Sequence, residues 1–286
     1  MRLAVTGARG FIGSSLTPAL KMRGHEVVTP LRNVIDAPAT YTGCATVIHL
    51  ANIAHARADP QAMARVNVEG TRRVAELAAA GGVRRFIYLS SIKALGEETA
   101  AKPFDGTERP APRDAYGRAK AAAEEALDQV AARTGMQVIV LRPPLVYGPG
   151  VKANFLALMR ALGKGWPLPL AGIENRRSLI FAGNLADAIA RCVEAPALSG
   201  KFLVSDGAPV STPALCGALG DALERPVRLF AVPRLALELL PGMKALTRSL
   251  EADDSAFRRE LGWRPPTSFK QAIGLTARWY RLECAA

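Results

Sequence analysis

The chain has 286 residues, of which 49% are hydrophobic, enough to bury the core of one globular unit with or without a small lobe. We expect no membrane span, because no uninterrupted apolar run reaches about 18 residues, and no signal peptide before the first predicted strand. The net charge of +12 comes from basic residues scattered along the chain, which favours an anionic small-molecule substrate over nucleic acid.

The cysteines and one late apolar segment add two expectations. Cys44, Cys192, Cys216 and Cys284 form no C-x-x-C pair and do not cluster with histidine. We therefore expect reduced thiols in a cytoplasmic protein, and no zinc or other metal site. The most apolar late segment, residues 229–246, is interrupted by charged residues and prolines. A surface or lobe helix explains it better than a membrane anchor.

Predicted strands and helices alternate along most of the chain. Strands are predicted at 2–6, 26–29, 45–51, 85–90, 137–141 and 201–204. Helices are predicted at 11–23, 60–80, 114–133 and 185–194. This alternation predicts an α/β fold, with a doubly wound parallel sheet, helices on both faces and right-handed crossovers.

A glycine-rich turn follows the first predicted strand and opens the first helix. Gly7, Gly10 and Gly13 have the spacing G-x-x-G-x-x-G. The first glycine permits a tight turn, the second lets the backbone approach a pyrophosphate, and the third lets the helix pack closely on the strand. The helix N-terminus then offers free N–H groups to the phosphates, so the turn predicts a dinucleotide site.

The end of the second predicted strand indicates which dinucleotide is preferred. An acidic residue there hydrogen-bonds the ribose 2′-hydroxyl of NAD, whereas an arginine accommodates the 2′-phosphate of NADP. Residues 28–32 contain no carboxylate and end in Arg32. We therefore predict that NADP is preferred and that NAD is an alternative; an exposed loop arginine is the other interpretation of Arg32.

A serine, a tyrosine and a lysine predict acid–base chemistry at the same sheet edge. Tyr116 and Lys120 lie four residues apart on a predicted helix and so share one face. A nearby ammonium is expected to lower the tyrosine pKa toward working pH, which would make Tyr116 a usable acid or base. Ser90 and Ser91 end a predicted strand, where a hydroxyl could hydrogen-bond a sugar oxygen.

These motifs resemble those of the extended short-chain dehydrogenases/reductases, and specifically of the NAD-dependent epimerase/dehydratase family. The similarity runs nearly end to end and is carried by the segments TGARGFIG, VIHLAN, VNVEGTRRVAELA, FIYLSSIKALG, YGRAK, LRPPLVYGPG, RRSLIFAGNLADAIA and ELGWRPPTSFKQAI. It implies a Rossmann sheet formed by residues 1–148 and 176–206. After residue 141, Pro and Gly become dense and the strand–helix alternation ends in a helical, irregular stretch. This change predicts a small C-terminal substrate lobe, residues 149–175 and 207–286, over the carboxyl edge of that sheet.

The resemblance also implies a role for individual residues. Those implied to bind the dinucleotide are Gly7, Gly10, Phe11, Ile12, Gly13, Leu50, Ala51 and Lys120. Those implied to be catalytic are Ser91, which lies five residues before Gly96, together with Tyr116 and Lys120. Those implied to contact the substrate are Ser91, Asn154 and Arg177, the last at the diphosphate. A homodimer through paired helices is a further expectation from relatives.

The reaction is narrowed by a departure from the family pattern. Sugar 4,6-dehydratases carry Asp-Glu where this chain has Ile92 and Lys93, so dehydration is disfavoured. We favour an NADPH-dependent UDP-4-keto-6-deoxy-N-acetylhexosamine reductase of polysaccharide biosynthesis over a UDP-sugar 4-epimerase with bound NAD. A non-catalytic NADP-binding regulator stays open. Strand-like alternation would put Lys93 beside Ser91 in the substrate pocket; a turn there would instead lead it to solvent.

Overall fold

The computed structural model describes residues 1–30, 40–53, 59–240 and 242–284. Its strands are β1 (Arg2–Thr6), β2 (Glu26–Val28), β3 (Thr46–His49), β4 (Arg85–Leu89), β5 (Gln137–Arg142), β6 (Leu145–Tyr147), β7 (Leu179–Phe181) and β8 (Gly200–Leu203). Six of them form a parallel sheet in the order β2-β1-β3-β4-β5-β8, and β6 pairs with β7 in a second, small parallel sheet. The predicted α/β fold with a parallel sheet is confirmed.

The helices follow the strands in alternation and then dominate the last third of the chain. They are α1 (Phe11–Met22), α2 (Pro60–Ala64), α3 (Gly70–Ala80), α4 (Ala115–Thr134), α5 (Ala153–Gly163), α6 (Ala182–Glu194), α7 (Thr212–Leu223), α8 (Arg234–Glu238), α9 (Lys244–Thr247), α10 (Ser255–Leu261) and α11 (Phe269–Glu283). A π-helical turn, Arg65–Glu69, joins α2 to α3, and a 3-10 turn, Ile92–Ala94, follows β4. Among the described residues, no helix is both long and apolar enough to cross a membrane.

Both faces of the large sheet are covered by helices. On one face, Leu16 of α1 and Ile189 of α6 belong to a buried cluster that includes Val5 of β1. On the other face, Val74 of α3 and Leu127 of α4 pack in a second buried cluster. Strands buried on both faces read as nearly continuous apolar runs, as these do in the sequence.

A third apolar cluster is built from α5, α7 and α11. Phe155, Leu219 and Ile273 are buried in it, together with Tyr147 at the end of β6. Phe11, the first residue of α1, packs against the same cluster. This helical part of the chain therefore borders the glycine turn at the carboxyl end of β1.

The sequence predicted one continuous helix over residues 60–80, but a π-helical turn interrupts it. The π-helical turn holds the buried Asn67, whose side-chain oxygen accepts from Ile53 N at 2.7 Å and whose amide donates to Ile53 O at 2.9 Å. The extra residue in the π-helical turn lets the Asn67 side chain bond to both the N–H and the C=O of Ile53, in the segment that follows β3. Other differences are shifts of a few residues: α6 begins at Ala182 rather than 185, and β3 spans four residues rather than seven.

The connections that follow β1 and β3 run in opposite directions across the sheet, at the edge where ligands bind. From β1 the chain passes to β2 on one side, whereas β3 lies on the other side of β1. The carboxyl ends of β1 and β3 therefore flank a switch point, the position at which open α/β sheets bind their ligands.

Candidate active site

The glycine turn has the geometry that the sequence predicts. Gly7 has a φ of +72°, and a Cβ there would lie 2.8 Å from Ala51 N. A Cβ on Gly13 would lie 2.4 Å from Gly7 O, so α1 packs directly on the turn. Gly10 donates its N–H to Gly7 O at 2.9 Å, and α1 begins at the next residue. Only glycine fits at the first and third positions without moving the backbone.

The surroundings of this turn fit a dinucleotide pyrophosphate. No side chain among the described residues caps α1, so the N–H groups of its first turn are left for an anion. Phe11 and Ile12 occupy that first turn, and Leu50 and Ala51 follow β3 directly beside Gly7. The proposed 2′-phosphate contact, Arg32, lies outside the described residues, so it stays a prediction.

A chain of hydrogen bonds crosses the switch point beneath the turn. The buried His49 contacts Thr6 Oγ1 through Nδ1 at 2.7 Å and Thr71 Oγ1 through Nε2 at 3.1 Å. Thr71 donates its hydroxyl proton to Asn67 O at 2.7 Å, so Nε2 must be the donor and Nδ1 the acceptor. Burial lowers the pKa of His49 to about 3, and the charge of Lys120 adds to that effect. His49 is therefore a neutral structural link between β1, β3 and α3.

Ser91, Tyr116 and Lys120 meet at the carboxyl end of β4. The strand stops at Leu89, and Ser91 caps the 3-10 turn by accepting a hydrogen bond from Lys93 N at 3.2 Å. Tyr116 lies in the first turn of α4, where its hydroxyl interacts with Ser91. Lys120 lies one turn later, with its Nζ 5.7 Å from the centre of the Tyr116 ring. Ser90, in contrast, is buried and donates its hydroxyl proton to Glu124 Oε1 at 2.5 Å.

Burial, rather than the charge of Lys120, sets the acid–base state of this pair. Burial raises the pKa of Tyr116 to about 12; Asp114 adds to the rise and the Ser91 hydrogen bond opposes it. The predicted lowering of the Tyr116 pKa is wrong, because desolvation of the phenol outweighs other influences on it. Burial also lowers the pKa of Lys120 to about 7, against Glu124, which acts to raise it.

A buried ion pair, Glu124 with Arg142, lies one helical turn beyond Lys120. Lys120 is fully buried, and its Nζ donates to Leu89 O at 2.7 Å. One turn further along α4, Glu124 accepts from Arg142 Nη2 at 2.6 Å and also from Ser90. Neither Glu124 nor Arg142 was among the predicted site residues. The spacing of Lys120 and Glu124 on one helix was a signal that could have indicated Glu124.

Lys93 does not follow the strand geometry on which its predicted placement rested. It lies in the 3-10 turn, and its Nζ donates to Asp114 Oδ2 at 2.6 Å. Asp114 also caps α4 by accepting from Gly117 N at 2.6 Å. Although burial acts to raise it, these hydrogen bonds hold the pKa of Asp114 below its usual value. Lys93 thus helps to fix the start of the helix that carries Tyr116, and its contact with substrate stays a prediction.

The two remaining predicted substrate residues lie outside the large sheet. Arg177 bridges two later segments, because its N–H pairs with Val210 O and its Nη1 donates to Arg248 O at 2.9 Å. Burial lowers the pKa of Arg177, and no carboxylate among the described residues forms an ion pair with it. Asn154 is exposed near the start of α5, directly after Ala153, whose φ of +53° is rare for a residue other than glycine.

The parallel sheet, the glycine turn at its switch point and the Tyr116–Lys120 pair define an NAD(P)-binding α/β enzyme. Residues 3–204 match the model of the NAD dependent epimerase/dehydratase family. The chain therefore belongs to that family, which confirms the prediction from its motifs.

Similar proteins cover the chain almost completely. A UDP-glucose 4-epimerase from Vibrio cholerae is 35% identical over 308 aligned positions, which span 96% of this chain and 94% of the relative. The structure of a UDP-glucose 4-epimerase from Thermotoga maritima with UDP-glucose superposes with a TM-score of 0.80 at 23% identity, covering 99% of both chains. RMD from Pseudomonas aeruginosa, complexed with NADPH, gives 0.81 at 23%, covering 98% of this chain and 99% of that one. At such identities the two structures establish the shared fold.

Proposed function

We propose that this chain is a UDP-sugar 4-epimerase that works with a bound NAD. The observation that carries the proposal is the 35% identity, over nearly the whole length of both chains, with the Vibrio cholerae UDP-glucose 4-epimerase. The position of Ser91, Tyr116 and Lys120 at the same carboxyl edge of the sheet as the glycine turn supports it, because hydride chemistry needs an acid–base group next to the dinucleotide.

The residues of the site have complementary tasks in this reaction. A bound nicotinamide supplies the hydride acceptor for the sugar C4 and, once reduced, the hydride donor. Tyr116 takes the proton of the C4 hydroxyl as the ketone forms and returns it to the same oxygen afterwards. Ser91 donates a hydrogen bond to that oxygen, and Lys120, whose Nζ lies 5.7 Å from the centre of the Tyr116 ring, is the cation beside the tyrosine while it holds the proton or releases it. A 4-epimerase also requires room for the 4-keto sugar to present its other face.

A half-buried cation, Arg177, supports a nucleotide diphosphate as the rest of the substrate. Arg177 has no carboxylate partner among the described residues, so a diphosphate would compensate its charge. Because its backbone pairs with Val210, Arg177 joins the proposed sheet domain to the proposed lobe of residues 149–175 and 207–286. Asn154 on α5 is proposed to contact the sugar nucleotide from that lobe.

A second candidate is the NADPH-dependent reduction of a UDP-4-keto-6-deoxy-N-acetylhexosamine. Two observations favour it: no carboxylate occurs at residues 28–32, and the pKa of Tyr116 is raised to about 12. A protonated tyrosine is the form required at the start of ketone reduction, whereas an epimerase must first accept a proton.

One experiment separates the two candidates. The purified protein is denatured and the released dinucleotide identified, and the native protein is incubated with UDP-galactose or UDP-N-acetylgalactosamine without added cofactor. Conversion to the gluco epimer together with released NAD supports the epimerase. No conversion, with consumption of NADPH on addition of a UDP-4-keto-6-deoxy sugar, overturns it in favour of the reductase.

Two variants test whether the assigned residues perform the chemistry. Tyr116→Phe is expected to abolish turnover and to leave dinucleotide binding nearly unchanged. Tyr41→Phe is the matched control, since it removes one hydroxyl from a buried tyrosine whose oxygen has no partner among the described residues. If Tyr116→Phe keeps most of its kcat, Tyr116 is not the acid–base group. Dinucleotide binding without any turnover in the wild type would support a non-catalytic regulator.

The setting of the reaction is part of the proposal. We place it in polysaccharide biosynthesis, for which nucleotide sugars are the activated donors, and in the cytoplasm. The four cysteines are all free thiols, as a reducing compartment requires. A homodimer is proposed on the pattern of relatives.

A further inference from the structure

An apolar surface patch lies around α8, and none of its residues belongs to the acid–base site. Phe230, Leu235, Leu239 and Leu240 are exposed by 48%, 76%, 85% and 56%. Trp166, exposed by 58%, lies on the adjoining segment. We call these five residues the apolar patch. Folded proteins expose single apolar side chains routinely, but a group of five large ones on neighbouring segments is typical of an interaction surface.

The patch is held in place by the residues that face inward. Leu237 of α8 is buried in the third apolar cluster. The negative charge of Glu238 is compensated by Arg248, whose Nη2 donates to its carboxylate at 2.7 Å. The segment before α8 is tied to the Trp166 segment by backbone hydrogen bonds, including Phe230 N to Leu168 O at 3.0 Å. The outward orientation of the leucines is therefore part of the folded structure.

The chain segments around the patch are strongly basic. Residues 151–173 and 225–248 carry eight basic residues and one acidic residue, a net charge of +7 out of the +12 of the whole chain. The basic residues are Lys152, Arg160, Lys164, Arg225, Arg228, Arg234, Lys244 and Arg248. The one acidic residue, Glu238, is paired with both Arg234 and Arg248, and Arg248 also pairs with Glu98. Six of the eight basic residues therefore form no ion pair with a carboxylate among the described residues, and they lie in the same two segments as the exposed leucine, phenylalanine and tryptophan side chains.

We propose that the apolar patch binds the surface of an anionic lipid membrane. Leucine and aromatic side chains beside lysine and arginine are the composition of elements that lie in the headgroup region. Tryptophan prefers that region, and cations near it are attracted by anionic headgroups. A second copy of the chain fits less well, because two surfaces of net positive charge would repel each other. Nucleic acid would use the cations but leave the leucines without a partner.

Vesicle flotation tests this proposal. The full-length protein is mixed with vesicles of phosphatidylcholine alone or of phosphatidylcholine with phosphatidylglycerol. We expect flotation with the anionic vesicles, much weaker flotation with the neutral ones, and a loss of binding as salt concentration rises. Absence of flotation with anionic vesicles at low salt overturns the proposal.

Two pairs of variants separate the patch from general charge and hydrophobicity. The double variant Leu235→Gln, Leu239→Gln is expected to weaken binding at least about tenfold, because leucine side chains leave the apolar region. Its control, Met22→Gln with Leu282→Gln, removes two exposed apolar side chains outside the patch. Thermal unfolding of each variant shows whether it is folded.

The charge variant is Arg234→Gln with Lys244→Gln, expected to weaken binding by about tenfold or more at low salt, since each cation near an anionic surface contributes about 1 kcal/mol. Arg259→Gln with Arg278→Gln is its control, because both arginines are exposed and lie outside the two basic segments. Equal losses in test and control variants overturn the proposal. So does a concentration-dependent dimer that Leu235→Gln, Leu239→Gln abolishes while vesicles are not bound, since that result assigns the patch to a second copy.

Discussion

Replacing the buried lysine of the site should stabilise the protein while destroying its activity. Lys120 has no exposed surface, and burial lowers its pKa from 10.5 to about 7. The folded state thus disfavours the ammonium that the unfolded chain carries freely at neutral pH. At pH 7 this difference corresponds to about 4 kcal/mol of lost stability, since one pKa unit is about 1.4 kcal/mol.

The substitution Lys120→Met keeps the length of the side chain and removes the charge. The gain in stability from removing the buried charge is partly offset, because the hydrogen bond from Lys120 Nζ to Leu89 O is lost, at a cost of about 1–3 kcal/mol. We therefore expect Lys120→Met to raise the free energy of unfolding at pH 7 by about 1–3 kcal/mol, or a few degrees in Tm. Turnover should be lost, because the charge beside Tyr116 is gone.

The pH dependence is the sharper part of the test. A lowered lysine pKa destabilises the fold fully below pH 7, and the penalty disappears as the pH rises toward the unfolded value of 10.5. The stability difference between Lys120→Met and wild type should therefore shrink from pH 7 to pH 10 in thermal unfolding. Lys102→Met, at a lysine whose side chain is 72% exposed, is the control and should show no such trend. A difference that is absent at pH 7, or constant with pH, would refute the reasoning.

Three further outcomes are expected. Glu124→Gln should lower the free energy of unfolding by about 3 kcal/mol in denaturant titrations, because Arg142 stays buried without a counter-charge; a loss below about 1 kcal/mol would contradict this. Gly13→Ala should abolish dinucleotide binding in calorimetric titration, since its Cβ would meet Gly7 O at 2.4 Å, and unchanged affinity would count against the cradle. Lys93→Met should raise the KM for the nucleotide sugar without changing the affinity for the dinucleotide; unchanged steady-state kinetics would show that Lys93 only forms the ion pair with Asp114.

The sequence was sufficient where a feature depends on neighbours along the chain. The strand–helix alternation predicted the parallel sheet, and the spacing of Gly7, Gly10 and Gly13 predicted a turn that only glycine can form. Both are local patterns, because periodicity and positive φ are properties of a few consecutive residues.

Features that depend on distant residues were beyond such patterns. Asn67 interrupts a predicted helix because it bonds to Ile53, fourteen residues earlier. The pKa of Tyr116 is raised because several elements pack around it, while the sequence indicated only the lysine one turn away. The sequence left Lys93 either beside Ser91 or turned to solvent, and it did not indicate the ion pair with Asp114, which is twenty-one residues further along the chain.

The one-way order of hydrogen bonds through Thr6, His49 and Thr71 has a consequence for proton exchange with solvent. The Nε2 proton of His49 is buried and has a single acceptor, so it can exchange only when α3 separates from β3. That separation would open the switch point beside Ala51, where the dinucleotide is expected. The lifetime of this imidazole proton in an NMR spectrum should therefore measure how often the crevice opens, and a ligand that closes the crevice should lengthen it.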